Sequence, residues 1–192
     1  LREEVALGHL TITGAVPDLL LANSDTLAAG ALAAGHAAEV IPSVVELDGA
    51  RTASSREVVL FVNPVRSHGV DVLLEVAARC PELSFVVQES WELEADAMDA
   101  LQARIDQLDN VELRARVTSP AYLFRDARVL FAPHQVDNRP RIVAEAQVNG
   151  IPVLASAYPG LVEAVGDGGL LIEPDAPVDE WVRIVHRGRA ES

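Results

Sequence analysis

The chain has 192 residues, 49% apolar and 23% charged, the make-up of a folded globular protein and not of a disordered one. Its 29 acidic and 15 basic residues leave a net charge of −14, which argues against a nucleic-acid binder, whose footprint is a basic face. No apolar run approaches the roughly 18 residues needed to span a bilayer, and the single cysteine, Cys80, excludes an intrachain disulfide or a cysteine zinc site.

All 15 basic residues are arginines, so any phosphate must be held by arginine, histidine or backbone N–H groups. No signal peptide is visible, from which a cytoplasmic location is expected. The chain begins at Leu1, and Met98 is its one methionine, so it is expected to be a piece of a longer protein.

In chain order, residues 1–45 read as one helix–strand–helix–strand unit with an apolar strand at 18–22. That is too little to bury its own core, and the tail of a preceding domain is expected there. Residues 46–56 are small and polar without a period, and read as a linker. Residues 57–192 then form a domain in which short apolar runs alternate with amphipathic stretches. The runs at 57–62, 84–88, 110–113, 128–132, 152–155 and 169–172 suit strands buried on both faces. Helices are expected at 70–79, 93–108, 120–126, 140–148, 161–165 and 178–186. The longest has Leu93, Ala97, Leu101 and Ile105 at four-residue spacing. This alternation predicts an α/β fold, a Rossmann-like, doubly wound parallel sheet, plus a partial α/β segment before it.

The most informative stretch runs from Phe131 to Ser156. A buried strand ends at Pro133, a loop follows from His134 to Arg139, and Pro140 suits a helix start. In an open parallel sheet, loops at the carboxyl ends of strands line the ligand crevice. The N–H groups of Arg141, Ile142 and Val143 would face it, an arrangement suited to a phosphate. Glu145 lies one turn after Arg141 on the same helical face. Asp137 and Asn138 are open to a second reading, as residues that satisfy backbone donors near a helix start. His134 could touch a sugar or simply pack, and Trp91 and Trp181 are expected to pack.

This stretch resembles the Glu-x7-Glu region of retaining nucleotide-sugar glycosyltransferases of the GT-B fold, family 4 (group 1). The residues that carry the resemblance are Asp137, Glu145-Ala146, Gly150-Ile-Pro-Val153 and Ser156-Ala-Tyr-Pro-Gly160-Leu-Val-Glu163-Ala-Val-Gly166-Asp-Gly-Gly169. Upstream it extends through Phe61-Val-Asn-Pro64 and His68-Gly69 to Leu21-Ala-Asn-Ser24. Two positions depart from the pattern. Asp137 stands where the family has Glu, which draws the carboxylate back by about 1.5 Å. His68 stands at the lysine of an Arg-and-Lys pair, with Arg66 as the loop's fixed cation.

The resemblance implies the C-terminal donor-binding domain of such an enzyme, with residues 1–45 a remnant of the N-terminal acceptor domain. It implies a nucleotide-diphosphate sugar as substrate, an unknown acceptor, retention of configuration, and no metal or other cofactor. Asp137 would hold a hydroxyl of the donor sugar and Glu145 the ribose hydroxyls. Arg66, His68 and the helix start at Arg141, Ile142 and Val143 would face the diphosphate. Main-chain groups around Leu113, Arg114 and Arg116 would meet the base. A non-catalytic nucleotide-sugar-binding module of the same fold is the alternative, and a sugar-nucleotide epimerase a further one.

Overall fold

The computed structural model describes residues 18–91 and 93–190. The first helix expected within residues 1–45 lies outside the described residues. What is described of that segment is β1 (Leu21–Ala22), α1 (Asp25–Ala33) and β2 (Glu39–Val40), the two strands pairing in parallel. The strand expected over 18–22 is only two residues long, because β2 offers it a two-residue partner. The Ser24 side chain caps α1 by accepting from the Leu27 N–H at 3.1 Å.

The domain that follows contains β3 (Val58–Val62), α2 (Val70–Arg79), β4 (Ser84–Gln88), α3 (Ala95–Ile105), β5 (Val111–Arg114) and α4 (Pro120–Leu123). It continues with β6 (Ala127–Ala132), α5 (Arg141–Val148), β7 (Val153–Ser156), α6 (Pro159–Val165), β8 (Gly169–Ile172) and α7 (Val178–Ala190). These strands form one parallel sheet in the order β5-β4-β3-β6-β7-β8. The expected Rossmann-like, doubly wound architecture is therefore the one observed. Strand order reverses between β3 and β6, and that switch point opens a crevice at the carboxyl edge.

The two-residue period of the strands explains the two cores. Val59, Phe61, Phe85, Val87, Phe131 and Leu154 face one side, where they pack under α2, α3 and α7. Trp181 of α7 meets Phe131 edge-on at 5.2 Å, as a packing residue should. Val58, Leu60, Val86, Leu130, Val153 and Ala155 face the other side, under α4, α5 and α6. No described helix is long and apolar enough to cross a membrane.

The stretch at 46–56 is laid along this domain and tied to it. Asn149, which caps the end of α5, accepts from the Thr52 N–H at 2.7 Å and donates to the Ala50 carbonyl at 2.9 Å. Ala50 is buried, and the Ser54 hydroxyl donates to Ala127 O. Residues 18–45 dock as well. α1 lies against α6, the Asp25 N–H donates to Glu163, and Asn23 and Arg139 exchange two hydrogen bonds.

Candidate functional site

Two loops at the switch point build the site. After β3 the backbone turns at Asn63, one of two described non-glycine residues with positive φ (65°). A single 3₁₀ turn at Arg66–His68 leads to Gly69 at φ +83°, where α2 begins. A Cβ at Gly69 would stand 2.0 Å from the Pro133 carbonyl oxygen, so only glycine lets the two loops approach this closely. The Gln135 N–H donates to Ser67 O at 2.8 Å and fastens the second loop to the first.

The loop after β6 feeds α5. Pro140 precedes the helix with extended backbone, and no side chain caps it. The first-turn N–H groups of Arg141 and Ile142 have no acceptor within the helix, as at any helix start. Both residues, with Glu145, line a cavity of about 530 Å³. Asn63, His68, Trp91, Arg116, Val117, Asn138 and Arg139 are also on its wall. Glu145 is 8% exposed, and its Oε1 lies 2.8 Å from Arg141 Nε.

The structure thus brings together His68, Arg141, Ile142 and Glu145 from the residues read off the sequence. It places others differently. The Arg66 side chain is 89% exposed and pairs with Asp71 on α2, away from the cavity wall. The 3₁₀ turn sends it outward while carrying His68 inward. Val143 is fully buried in the core under α5, and its N–H donates to the Pro140 carbonyl, so it does not face the cavity. Leu113 packs against the core, while the Arg114 guanidinium bridges Asp126 and Glu112 at 2.7 and 2.8 Å, which holds its pKa above the usual arginine value. The chain reaches the cavity two residues later, at Arg116 and Val117.

Asp137 is engaged as the alternative reading had it. Its Oδ1 accepts from the Gly160 N–H at 2.7 Å, at the start of α6. Gly160 has no room for a side chain, since a Cβ there would meet Asn138 O at 2.6 Å. Asp137 lines a separate small hollow of about 30 Å³ beside α1.

Two residues of the cavity wall, Asn63 and Trp91, went unrecognised as such in the sequence, and a third, His134, was left between touching a sugar and packing. Asn63 is 3% exposed, and neither polar atom of its amide has a hydrogen-bond partner. The available signal was the residue type, an asparagine, which tolerates positive φ, between an apolar run and a proline. Trp91, expected to pack, is 57% exposed at the cavity wall, 5.6 Å from the His68 ring. His134 is buried, and its ring stacks on His68 with centroids 4.3 Å apart and planes 9° from parallel. Burial, then the His68 charge, push the His134 pKa down to about 4, against the opposing hydrogen bond that its Nδ1 donates to Asn138 Oδ1.

Such a site can hold an anion at a helix start, a hydroxylated ring at a buried carboxylate and a flat group against the rings. Three solved structures share the fold at low identity. The Anabaena protein Alr3699/HepE in complex with UDP and glucose is 19% identical at a TM-score of 0.80, over 98% of this chain and 57% of that one. Sucrose-phosphate synthase from Thermosynechococcus elongatus is 19% identical at a TM-score of 0.80, over 99% and 53%. A glycosyltransferase from Rickettsia africae is 13% identical at 0.75, over 90% and 53%. The chain therefore spans a little over half the length of these proteins. No curated protein sequence matches it. Residues 56–187 match the family described as Glycosyl transferases group 1. Strands β3 to β8, both site loops and the start of α5 fall inside that match, and the chain belongs to the group 1 glycosyltransferases.

Proposed function

We propose that this chain is the donor-binding half of a retaining, family 4 type glycosyltransferase, which moves a sugar from a nucleotide diphosphate to an acceptor. The observation that carries the reading is the uncapped start of α5, with Glu145 one turn on, facing a cavity of about 530 Å³ at the sheet's switch point. The helix start presents N–H groups and a partial positive charge to the diphosphate. Glu145 accepts from the ribose hydroxyls. His68 and the Asn63 amide replace the family's Arg-and-Lys pair as donors from the β3 loop. Arg116 and Trp91 border the base. As the sugar leaves, these donors stabilise the negative charge that gathers on the departing phosphate, with no metal called upon. The acceptor and the opposite wall of the cleft belong to a further domain, whose closure would expel water.

One observation favours the rival reading of a non-catalytic binding module. The Asp137 carboxylate caps α6, where the resembled family places a sugar-binding acid. Nucleotide release in the presence of acceptors, assayed on the chain extended by its upstream reading frame, separates the two. Turnover supports the enzyme, and tight donor binding without turnover supports the module.

A further inference from the structure

His134 sits at the carboxyl end of β6, on the cavity wall and almost wholly buried. Its Nδ1 lies 2.8 Å from Asn138 Oδ1. An amide oxygen only accepts, so Nδ1 carries the ring proton and Nε2 is left as a lone-pair acceptor. The face-to-face stack on His68 and the Asn138 bond fix the ring in position and rotation. Burial and the neighbouring imidazole oppose a second proton, so the ring remains an acceptor at neutral pH.

That chemistry selects a ligand group. A lone pair repels the oxygens of an ionised phosphate and accepts only from a donor such as a hydroxyl. In a nucleotide sugar, donors of this kind are the ribose hydroxyls, assigned above to Glu145, and those of the sugar. We propose that His134 is a specificity-determining residue that reads a hydroxyl of the transferred sugar through Nε2, with its tautomer set by Asn138. The inference rests on the nucleotide-sugar reading of the cavity.

The test compares UDP, GDP and ADP with UDP-glucose, GDP-mannose and ADP-glucose, titrated into the wild type and His134→Phe. Phenylalanine keeps a flat ring over His68 and removes both nitrogens. The expected result is unchanged affinity for the diphosphate that binds, with about a tenfold loss for its sugar form, the effect of one hydrogen bond. Long-range proton–nitrogen NMR of histidine-labelled wild type gives a second readout that needs no variant. The Nε2 resonance of His134 should move with the nucleotide sugar and stay put with the diphosphate alone. An equal loss for both ligands, or an Nε2 that responds to the diphosphate alone, overturns the assignment to the sugar. Failure of every nucleotide to bind the wild type overturns the nucleotide reading itself, and this inference with it.

Discussion

Arg141 Nε stands 2.8 Å from Glu145 Oε1 across one turn of α5, at the floor of the cavity. The arginine is largely exposed, so solvent screening keeps the pair's contribution to stability to a few tenths of a kcal/mol. Its consequence is positional, since it keeps a nearly buried carboxylate aimed at one place. Glu145→Gln keeps the shape and loses the charge. Affinity for a nucleoside diphosphate should fall by the ~1.5 to 3 kcal/mol of a charge-assisted hydrogen bond, while the melting temperature hardly moves. Calorimetric titration beside a thermal melt checks both halves.

The two residues of the β3 loop make a paired prediction. Asn63→Gly keeps the positive φ and removes a buried amide that has no partner. Unliganded stability should therefore hold or rise, by up to about 1 kcal/mol, while diphosphate affinity drops about five- to tenfold. Arg66→Ala should change affinity less than twofold, because its side chain points to Asp71. Urea denaturation and titration of both variants decide this, and a large loss in Arg66→Ala would return the cation to the site.

His134 makes stability depend on pH. Its folded pKa is about 4, below the roughly 6.5 of an unfolded histidine. Between those values the unfolded chain binds the proton and the folded chain does not, so stability rises with pH. The contribution is fully present above about pH 6.5 and is lost as pH falls toward 4, to an extent of about 3 kcal/mol. His134→Phe should flatten that part of the curve. Urea denaturation from pH 4 to 7.5 on both forms is the measurement.

Gly69 holds the two site loops against each other. Gly69→Ala would place a methyl 2.0 Å from Pro133 O on a backbone at φ +83°. A loss of at least about 2 kcal/mol is expected from strain and displacement together. The thermal melt should report it, and a stable, unaltered variant would show that the loops are free to separate.

The sheet was legible because its signal is local. Val58 to Phe61 and Phe85 to Val87 are apolar on both faces, and such runs between amphipathic helices leave little choice but a covered parallel sheet. Glu145 and the start of α5 were legible for a related reason, since helical spacing fixes Arg141 and Glu145 on one face. The loop residues were not. Whether Arg66 or His68 faces inward depends on one 3₁₀ turn, and no period in the sequence encodes it. Asp137 and Gly160 are 23 residues apart, so their hydrogen bond follows from how β6, β7 and their helices stack and not from spacing. Trp91 was misjudged because an aromatic residue carries the same apolar signal at a cavity wall as in a core.

The central claim is that this cavity binds a nucleoside diphosphate through the start of α5, His68, Asn63 and Glu145 without a metal. Calorimetric titration of the chain with UDP, GDP and ADP in the presence of EDTA tests it most directly. The expected result is a dissociation constant of order 0.1 to 1 mM for at least one of them, about −4 to −5.5 kcal/mol, unchanged by EDTA. Binding of none of them, or binding abolished by EDTA, would contradict it.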